Sequence, residues 1–587
     1  MRALLRRCLC LALLMFSMLA HAEVKLDVQG VGDPLKSAVR DGVELTQYAR
    51  RPVSEAQIRR LYEEAPDQVR AALEPYGYYD ASVQASLART GAGDWKVVLK
   101  VMPGEPVRIG AVDVKLDAAA LKVAAIRRAE RAVERLKGQV LDHGAYEKAR
   151  DDVSAALTAN GFLGARLVTH KVAVTRADRS AVVDLAWQAG PRYRFGKVHF
   201  QGSQFEPGFL NRYVPFGRGD YFDQSDLLRL QEALNGADYF AVVNVLPDVH
   251  DAERTVDVAV QLQPARRSVY TGGPFFGTDT GLGVRAGLER RWVNGRGHKW
   301  KNELVLAQRL KTLSSLYTVP LPGGNQRSLN FGVNFRDADT VTSQSRTLEL
   351  VGNETELWHG WTRTLGAHAL IGTFTVGKHG NEPDSTPGIE RGRSQLVFAE
   401  ASLSKKRGDN PTFVRRGWSL SMYARSTAGT LLSDTRFSQV GADAKWIRAF
   451  AGRNRLILRG SAGITSTGDF SALPPQLRFF AGGDRSVRGY GYQAIGPRNS
   501  YDRVIGGHNL LVASTEVEHY FTRHWGMAAF VDAGNAFDGF DYRPRLGTGL
   551  GVRWLSPVGM IRVDVGVPIH DAHAHGVQLH VVIGPDL

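Results

Sequence analysis

Residues 267–587 consist of short stretches in which apolar and polar side chains alternate, and this pattern limits the possible folds more than any other feature. The stretches are about ten residues long, the length of a tilted β-strand that crosses a bilayer. Two good examples, 281–293 and 298–310, are joined by Asn-Gly-Arg-Gly at 294–297, which is typical of a tight hairpin turn. We therefore expect antiparallel strands throughout this half of the chain.

The strands of 267–587 are predicted to close into a transmembrane barrel rather than to pack as a soluble sandwich. A closed barrel satisfies the backbone hydrogen bonds in lipid and leaves no free edge. The second face of the strands is too rich in Lys, Arg, Asp, Asn, Gly and Ser for a packed interior. At about 20 residues for each strand and its loop, the length fits about 16 strands, with both termini on the periplasmic side.

The first 22 residues have the three regions of a secretory signal peptide. Arg2, Arg6 and Arg7 form a basic start, 9–19 form an apolar segment, and Ala-His-Ala at 20–22 is the cleavage site. Both cysteines of the sequence lie in this leader, which excludes a disulfide scaffold or a cysteine zinc site elsewhere. The net charge of +15 is spread along the chain, which favours a phosphate-rich membrane surface over nucleic acid as a partner.

Residues 23–266 contain an imperfect repeat of about 80 residues, in which a helix ends at a glycine and an aromatic residue before a strand begins. The breaks are YGYYDA at 76–81, NGFLGA at 160–165 and NGADYF at 235–240. Glycine or asparagine is expected to take the left-handed conformation at each break, and the aromatic ring is expected to pack back on the helix. Three α+β units of the type βααββ are predicted.

These breaks, with the joints PGEPVRIGAVDV at 103–114 and AGPRYRFGKVHFQG at 189–202, resemble POTRA domains, the periplasmic repeats of outer-membrane assembly and transport barrels. An exposed sheet edge of such a domain can accept another chain by strand addition, and the sequence leaves open which edge is free. The resulting division of the chain is a signal peptide at 1–22, three POTRA domains at 23–105, 106–192 and 193–266, and an outer-membrane barrel at 267–587.

The most specific motif is VRGY at 487–490, which lies in a long polar segment and resembles the loop motif of the POTRA-barrel superfamily. FVDAG at 530–534 resembles the F-x-D-x-G strand of that family. STEVE at 514–518 occupies the position of the family's strand glutamate. The three motifs also follow one another in the order that the family has.

An arginine that enters a barrel lumen loses hydration and needs carboxylates of matching fork geometry. The resemblance implies that Arg488, with its neighbours Gly489 and Tyr490, is clamped by Asp532 and Glu516. This luminal lock would fix the loop inside the barrel and stabilise it, without any catalytic role. The alternative is that any arginine in a wet barrel finds some carboxylate.

The end of the chain, GTGLGVRWLSPVGMIRVD at 547–564 and IGPDL at 583–587, resembles the TamA subfamily, the outer-membrane subunits of the translocation and assembly module. The barrel entry, 277–281 and 291–298, resembles the same subfamily. The resemblance implies a factor that inserts or translocates outer-membrane proteins such as autotransporters. It also implies three partners: a TamB-like inner-membrane-anchored periplasmic protein, unfolded outer-membrane protein clients and outer-membrane lipid. A two-partner-secretion-type transporter and a general barrel insertase are the alternatives.

The seam between the first and last strands is predicted to be weak. The first strand contains Gly272, Gly273 and Pro274, and the last strand ends at Gly584. Proline lacks an N–H and belongs at sheet edges, while glycine pairs weaken a strand. A seam with few ladder bonds would open easily and offer its edges to an incoming strand. Ordinary closure, with Pro274 at a bulge, is the alternative.

The sequence carries no motif that indicates an enzyme or a cofactor. It contains no phosphate-binding loop and no nucleophile elbow, so no catalytic residue is assigned. An outer-membrane enzyme would need a catalytic triad in the lumen, and none is recognisable. His570, His573, His575 and His580 cluster near the final hairpin, where an exposed loop is the favoured interpretation over a metal site.

Overall fold

The computed structural model describes residues 24–49, 53–90, 94–206, 208–322, 326–380, 382–411, 413–556, 559–569 and 576–584. The predicted signal peptide lies outside these ranges, as do His570, His573 and His575. Within them, every helix is too short or too polar to cross a membrane. The chain forms two compact units, Met1–His199 with Pro215–Gln231 and Val245–Val260, and Phe200–Val214 with Glu232–Asn244 and Gln261–Leu587.

Three small sheets precede the barrel, and each has three strands with the last strand in the middle. The first sheet has the order β1-β3-β2, the second β4-β6-β5 and the third β7-β9-β8. The strands are β1 (Val24–Gln29), β2 (Ser82–Thr90), β3 (Asp94–Met102), β4 (Arg108–Lys115), β5 (Arg166–Thr175), β6 (Ser180–Gln188), β7 (Arg194–Gln201), β8 (Phe240–His250) and β9 (Thr255–Pro264). The α-helices are α1 (Leu35–Gly42), α2 (Glu55–Leu73), α3 (Ala118–Leu121), α4 (Ala124–Glu134), α5 (His143–Ala159) and α6 (Gln224–Gly236).

Helix α2 illustrates how the repeat forms locally. The Ser54 hydroxyl accepts a hydrogen bond from the Gln57 N–H at 3.2 Å, which caps the helix start. Apolar residues at helical spacing, such as Leu61 and Val69, are fully buried in the core of the first sheet. At its far end Gly77 takes a left-handed conformation with φ +86°, as predicted for the first break.

The third unit departs from the predicted pattern in two ways. Its left-handed residue is Asp238, with φ +60°, rather than Asn235 or Gly236. Aspartate tolerates this conformation because its short side chain can hydrogen-bond locally. In addition, a 3₁₀ helix at Leu210–Tyr213 replaces one of the two expected α-helices, so the βααββ prediction is wrong for this unit.

The second half of the chain is a 16-stranded antiparallel sheet in which each strand pairs with the next one along the chain. This confirms the predicted barrel of about 16 strands. The strands are β10 (Ser268–Gly277), β11 (Gly281–Arg290), β12 (Lys299–Ala307), β13 (Leu310–Pro320), β14 (Ser328–Asp339), β15 (Ser343–Trp358), β16 (Trp361–Val376), β17 (Glu390–Gly408), β18 (Arg416–Thr427), β19 (Phe437–Phe450), β20 (Asn454–Thr467), β21 (Asn509–Tyr520), β22 (Trp525–Phe537), β23 (Arg545–Ser556), β24 (Gly559–Ile569) and β25 (Gln578–Gly584).

Alternation along the strands separates an outer apolar face from a polar lumen. In β22, Met527 and Val531 are more than half exposed, whereas Phe530 and Asp532 are buried. The long segment between β20 and β21, residues 468–508, folds into the lumen, and its apolar side chains form a buried cluster with strand β21. Because this segment lies in the lumen, polar side chains of the adjacent strands, such as Asp532, contact it.

Candidate functional site

The predicted pair of Arg488 and Asp532 is brought together in the lumen. Arg488 donates from Nε to Asp532 Oδ2 at 2.8 Å and from Nη2 to Oδ1 at 2.9 Å. Its backbone N–H also donates to Oδ2 at 2.9 Å. Arg488 is 2% exposed and Asp532 is 0% exposed, so both charges are removed from solvent. Such a bidentate pair fixes both position and orientation of the arginine.

The Arg488 guanidinium reaches further luminal groups on three strands. Nη1 donates to Glu516 Oε2 at 2.6 Å and to Asp564 Oδ2 at 3.1 Å. The guanidinium carbon lies 3.5 Å from the centre of the Phe530 ring, a cation–π contact. The structure therefore places Glu516 where the sequence predicted it and adds Asp564, a residue that the sequence analysis did not single out.

A second buried arginine, Arg553 on β23, shares Glu516 and Asp564 with Arg488. It donates to Glu516 Oε1 at 2.7 Å, to Glu518 Oε1 at 2.9 Å and to Asp564 Oδ1 at 2.5 Å. Arg455 on β20 then donates to Glu518 Oε2 at 2.7 Å. Each carboxylate thus lies between two cations, which compensates the cost of burying charge.

The luminal cluster is balanced in charge when its outermost member, Arg459, is included. Arg459 Nη2 lies 3.7 Å from Asp532 Oδ1 and donates to the Ser514 hydroxyl at 3.0 Å. The cluster holds four arginines and four carboxylates: Arg455, Arg459, Arg488, Arg553, Glu516, Glu518, Asp532 and Asp564. Its members come from the luminal segment and from β20 to β24, so one network ties five consecutive strands to the loop.

Gly489 and Tyr490 complete the predicted lock motif, and each has a distinct steric role. Gly489 has φ +96°, and an added Cβ would lie 2.7 Å from the Val567 carbonyl carbon. No side chain fits at this position, so the loop backbone can lie directly against β24. Tyr490 is 3% exposed, and its hydroxyl donates to the Leu546 carbonyl at 3.3 Å.

The predicted seam lies where the 16-stranded sheet ends. Strands β10 and β25 are the two end members of the strand order, and no ladder joins them within the described residues. Pro274 is the register partner of Val284 in the ladder between β10 and β11. Gly584 is the register partner of Met560 in the ladder between β24 and β25. The edge position suits Pro274 and its neighbours Gly272 and Gly273.

One luminal aspartate, Asp484, contacts both edges of this seam. It accepts a hydrogen bond from the Thr278 hydroxyl, next to β10, at 3.0 Å. The Nδ1 atom of His580 in β25 lies 2.6 Å from Asp484 Oδ1. Directly across the seam, the Val581 N–H donates to the same Thr278 hydroxyl at 3.4 Å. Side chains therefore bridge the two edges at this point.

His580 does not behave as expected from the sequence. It lies in β25 rather than in an exposed loop, and it is 4% exposed. Its register partner in β24 is Asp564, so it faces the lumen, where its Nε2 accepts from the Gly489 N–H at 3.1 Å. His580 thus contacts both Gly489 of the lock motif and Asp484 at the seam.

Three family models match the chain. The Omp85 superfamily domain matches residues 293–585. A model of the first POTRA domain of TamA matches 25–103, and the POTRA model described as a surface antigen variable number repeat matches 193–265.

The chain belongs to the Omp85 superfamily.

Individual proteins are similar to this chain in sequence or in fold. The outer membrane protein assembly factor BamA of Nitratidesulfovibrio vulgaris is 23% identical over 439 residues, which are 70% of this chain and 54% of that protein. The chain thus spans about half the length of this curated relative. BamA of Haemophilus ducreyi lacking POTRA domains 1–3 has the same fold, with a TM-score of 0.66, 17% identity, and coverage of 81% of this chain and 99% of that one. CdiB of Acinetobacter baumannii gives a TM-score of 0.45 at 15% identity, over 81% of this chain and 88% of the other.

As an Omp85 protein with POTRA domains, the chain resides in the outer membrane of a Gram-negative bacterium with its POTRA sheets in the periplasm. Strand β10 follows the third sheet, so it enters the membrane from the periplasmic side. Successive antiparallel strands then place the turn between β17 and β18 at the periplasmic end and the long segment 468–508 at the outer end.

Five of the eight members of the luminal cluster were not predicted from the sequence. Glu518 lies two residues after Glu516, so the alternation of side chains placed both on one face. Arg553 interrupts an otherwise apolar stretch of β23, which was a second available signal. The contact between Asp484 and His580 could not be predicted from neighbouring residues in the sequence. The two residues are 96 positions apart, and they meet only because the luminal segment carries Asp484 to β25.

Proposed function

We propose that this chain is an assembly and translocation factor of the TamA kind, which helps to insert or translocate outer-membrane proteins such as autotransporters. Clients would enter through the seam between β10 and β25 as unfolded strands, with outer-membrane lipid as the medium they join. The match of the first POTRA domain to the TamA model supports this specific subfamily.

The observation that carries the proposal is the seam itself. Neighbouring strands elsewhere in the barrel pair over seven to sixteen residue positions, as between β24 and β25 or between β15 and β16. Between the β10 and β25 edges the described hydrogen bonds are the one from Val581 to Thr278 and the bridge through Asp484. Few hydrogen bonds must break to separate these edges, and the freed backbone groups can pair with an incoming strand.

We further propose that the luminal cluster acts as a lock which keeps the wall beside the seam rigid. The cluster ties β20 to β24 to the loop that carries Arg488. Strand β25 is held to this wall by a seven-residue ladder with β24. An opening motion can then separate β10 from β25 while the remaining barrel keeps its shape.

The periplasmic partner is proposed to be a TamB-like protein that is anchored in the inner membrane. The first small sheet is the candidate surface because it lies farthest along the chain from the barrel, and its strands β1 and β2 are both edges of the sheet. An extended segment can add to such an edge through main-chain hydrogen bonds. Capture from membranes on the immobilised full chain, with β2 edge residues changed to proline in a matched variant, tests this assignment. Equal recovery of the partner by both forms would argue against the β2 edge.

A reversible covalent tether across the seam tests the central proposal. Thr278→Cys with Val581→Cys joins two residues on opposite edges of the seam, whose contact is a 3.4 Å hydrogen bond from the Val581 main-chain N–H to the Thr278 hydroxyl. Oxidation should stop the surface display of an autotransporter passenger, and reduction should restore it, because the edges can no longer part.

The control is a tether across an ordinary ladder. Val440 and Ile464 are register partners in β19 and β20, and both are about half exposed on the outer face. Val440→Cys with Ile464→Cys should form a disulfide without loss of passenger display. Full display with the oxidised seam tether in place would overturn the gate.

A further inference from the structure

Two arginines lie directly opposite each other on the barrel wall. Arg416 at the start of β18 and Arg448 near the end of β19 are register partners, and both side chains are exposed. Arg407 of β17 pairs with Trp418, two residues along β18 from Arg416, and is exposed as well. These three cations, named here the arginine triplet, line one groove of about 570 Å³.

The arginine triplet faces the membrane side of the wall rather than the lumen. In β19, Gln439 donates to the carbonyl of Leu477 in the luminal segment, so odd-numbered residues face inward. Ile447 follows the same rule and is buried with Val414. Arg448, one residue further on, therefore points outward, and its register partner shares that face.

The triplet has no acidic counterpart among the described residues. Within that part of the chain, no carboxylate oxygen lies within 4.0 Å of a guanidinium nitrogen of Arg407, Arg416 or Arg448. The adjacent Asp409 instead accepts from the Arg415 backbone N–H at 2.8 Å. Like charges directly opposite each other destabilise a sheet. An anion between the arginines would remove this repulsion.

An aromatic layer fixes the depth of the triplet. Trp418 and Trp446 are register partners one step further into the wall on the same face. Trp361 lies 6.2 Å from Trp418 between ring centres, and Lys405 Nζ lies 5.3 Å from the Trp361 ring. Tryptophan concentrates at the level of lipid headgroups, where its ring is apolar and its N–H is wet.

Beyond the tryptophans the outward rows of β18 and β19 are apolar. Leu420 and Met422 continue the outward row of β18, and Val440 on β19 is about half exposed. The order along β18 and β19 is therefore cations at the periplasmic end, then indole rings, then hydrocarbon-contacting side chains. This is the order of chemical groups in a phospholipid, from phosphate through the interface to acyl chains.

We propose that the arginine triplet binds the phosphate of an anionic phospholipid in the periplasmic leaflet of the outer membrane. The guanidinium groups of Arg416 and Arg448 would each donate to phosphate oxygens, with Arg407 at the edge of the site. The acyl chains would lie along the apolar rows of β18 and β19. The position beside the tryptophans favours a lipid-borne phosphate over a free one.

Native mass spectrometry tests the site. The full chain in detergent is mixed with equal amounts of phosphatidylglycerol and phosphatidylcholine, and the lipid that stays bound after release from the detergent is measured. The unmodified chain should retain phosphatidylglycerol preferentially. Arg416→Gln with Arg448→Gln should reduce that preference roughly tenfold or more, because two phosphate contacts are lost. Arg416→Lys with Arg448→Lys should give an intermediate preference, since the charge stays but the fork geometry goes.

The control removes two positive charges elsewhere on the barrel. Arg523 in the turn between β21 and β22 and Arg543 in the loop after β22 are both exposed, so Arg523→Gln with Arg543→Gln should leave the preference unchanged. Heat-dependent migration in electrophoresis shows that each variant is folded. Equal retention by the triplet variant and the control variant would overturn the site. Displacement of the lipid by inorganic phosphate at equal concentration would overturn the lipid as its ligand.

Discussion

Asp532 accepts three hydrogen bonds from the single residue Arg488, two from its guanidinium and one from its backbone N–H. The side chain and the main chain of the luminal loop are therefore fixed by the same carboxylate. A loop held in this way cannot slide along the barrel axis without breaking all three bonds at once.

Removal of the Arg488 side chain should destabilise the barrel strongly. Arg488→Ala leaves Asp532 and Glu516 buried with one cation fewer, and breaking a buried pair in this way costs about 3–5 kcal/mol. The temperature at which the folded form converts in semi-native electrophoresis should fall. The conversion temperature of Arg488→Lys should lie between those of the unmodified chain and Arg488→Ala. The lysine keeps the positive charge, but its ammonium group cannot reproduce the bidentate contact. An unchanged conversion temperature for Arg488→Ala would contradict the lock.

A methyl group at Gly489 should weaken the lock without touching any charge. Gly489→Ala forces a Cβ against the Val567 carbonyl carbon at 2.7 Å and strains a residue with φ +96°. Gly452→Ala is the matched control, because Gly452 also has a positive φ of +74° but has open space around its Cβ position. Gly489→Ala should lower the conversion temperature clearly more than Gly452→Ala. Equal effects would mean that backbone strain alone matters.

Acidic pH should strengthen the contact at the seam through Asp279, which lies in the turn after β10. Burial, and secondarily the neighbouring Asp484, raise the pKa of the Asp279 carboxyl from 3.8 to about 6, while His580 and Arg485 oppose the shift. A raised pKa in the folded state means that stability from this group is full below pH 3.8 and is lost as the pH rises through about 6.

The conversion temperature measured between pH 5 and pH 7.5 checks this dependence. The unmodified chain should lose stability over this range relative to Asp279→Asn, whose amide does not titrate. Both proteins contain His580, so a difference between their pH profiles comes from Asp279. Parallel profiles for the two proteins would exclude a contribution from Asp279.

Loss of the His580 ring should loosen the seam. His580→Ala removes the contact with Asp484 and leaves the Gly489 N–H without this acceptor. We expect more frequent opening, seen as higher ion conductance in planar bilayers. His519→Ala is the control, because His519 is an exposed residue that contacts Asn454 away from the seam. Equal conductance of the two variants would argue against the bridge.

Much of the site could be predicted because its signals are local. The Gly-aromatic breaks predicted the helix ends, and the left-handed Gly77 shows why they work. The resemblance of the loop motif and the two strand motifs to the POTRA-barrel superfamily pointed to Arg488, Asp532 and Glu516. The third unit shows the limit of such reasoning, since Asp238 rather than a glycine or an asparagine reverses the chain there.

The amino-acid pattern assigns the two faces of each strand and the residue types of the lumen, because side chains alternate with a fixed period of two. Chain length gave the approximate number of strands, and the family motifs named one luminal contact, but the other contacts depend on the assembled barrel. Register sets Asp564 opposite His580 and Arg416 opposite Arg448, and the fold of the loop carries Asp484 to the seam. Alternation specifies a face, whereas a hydrogen bond requires a position along that face, and only the assembled sheet supplies it.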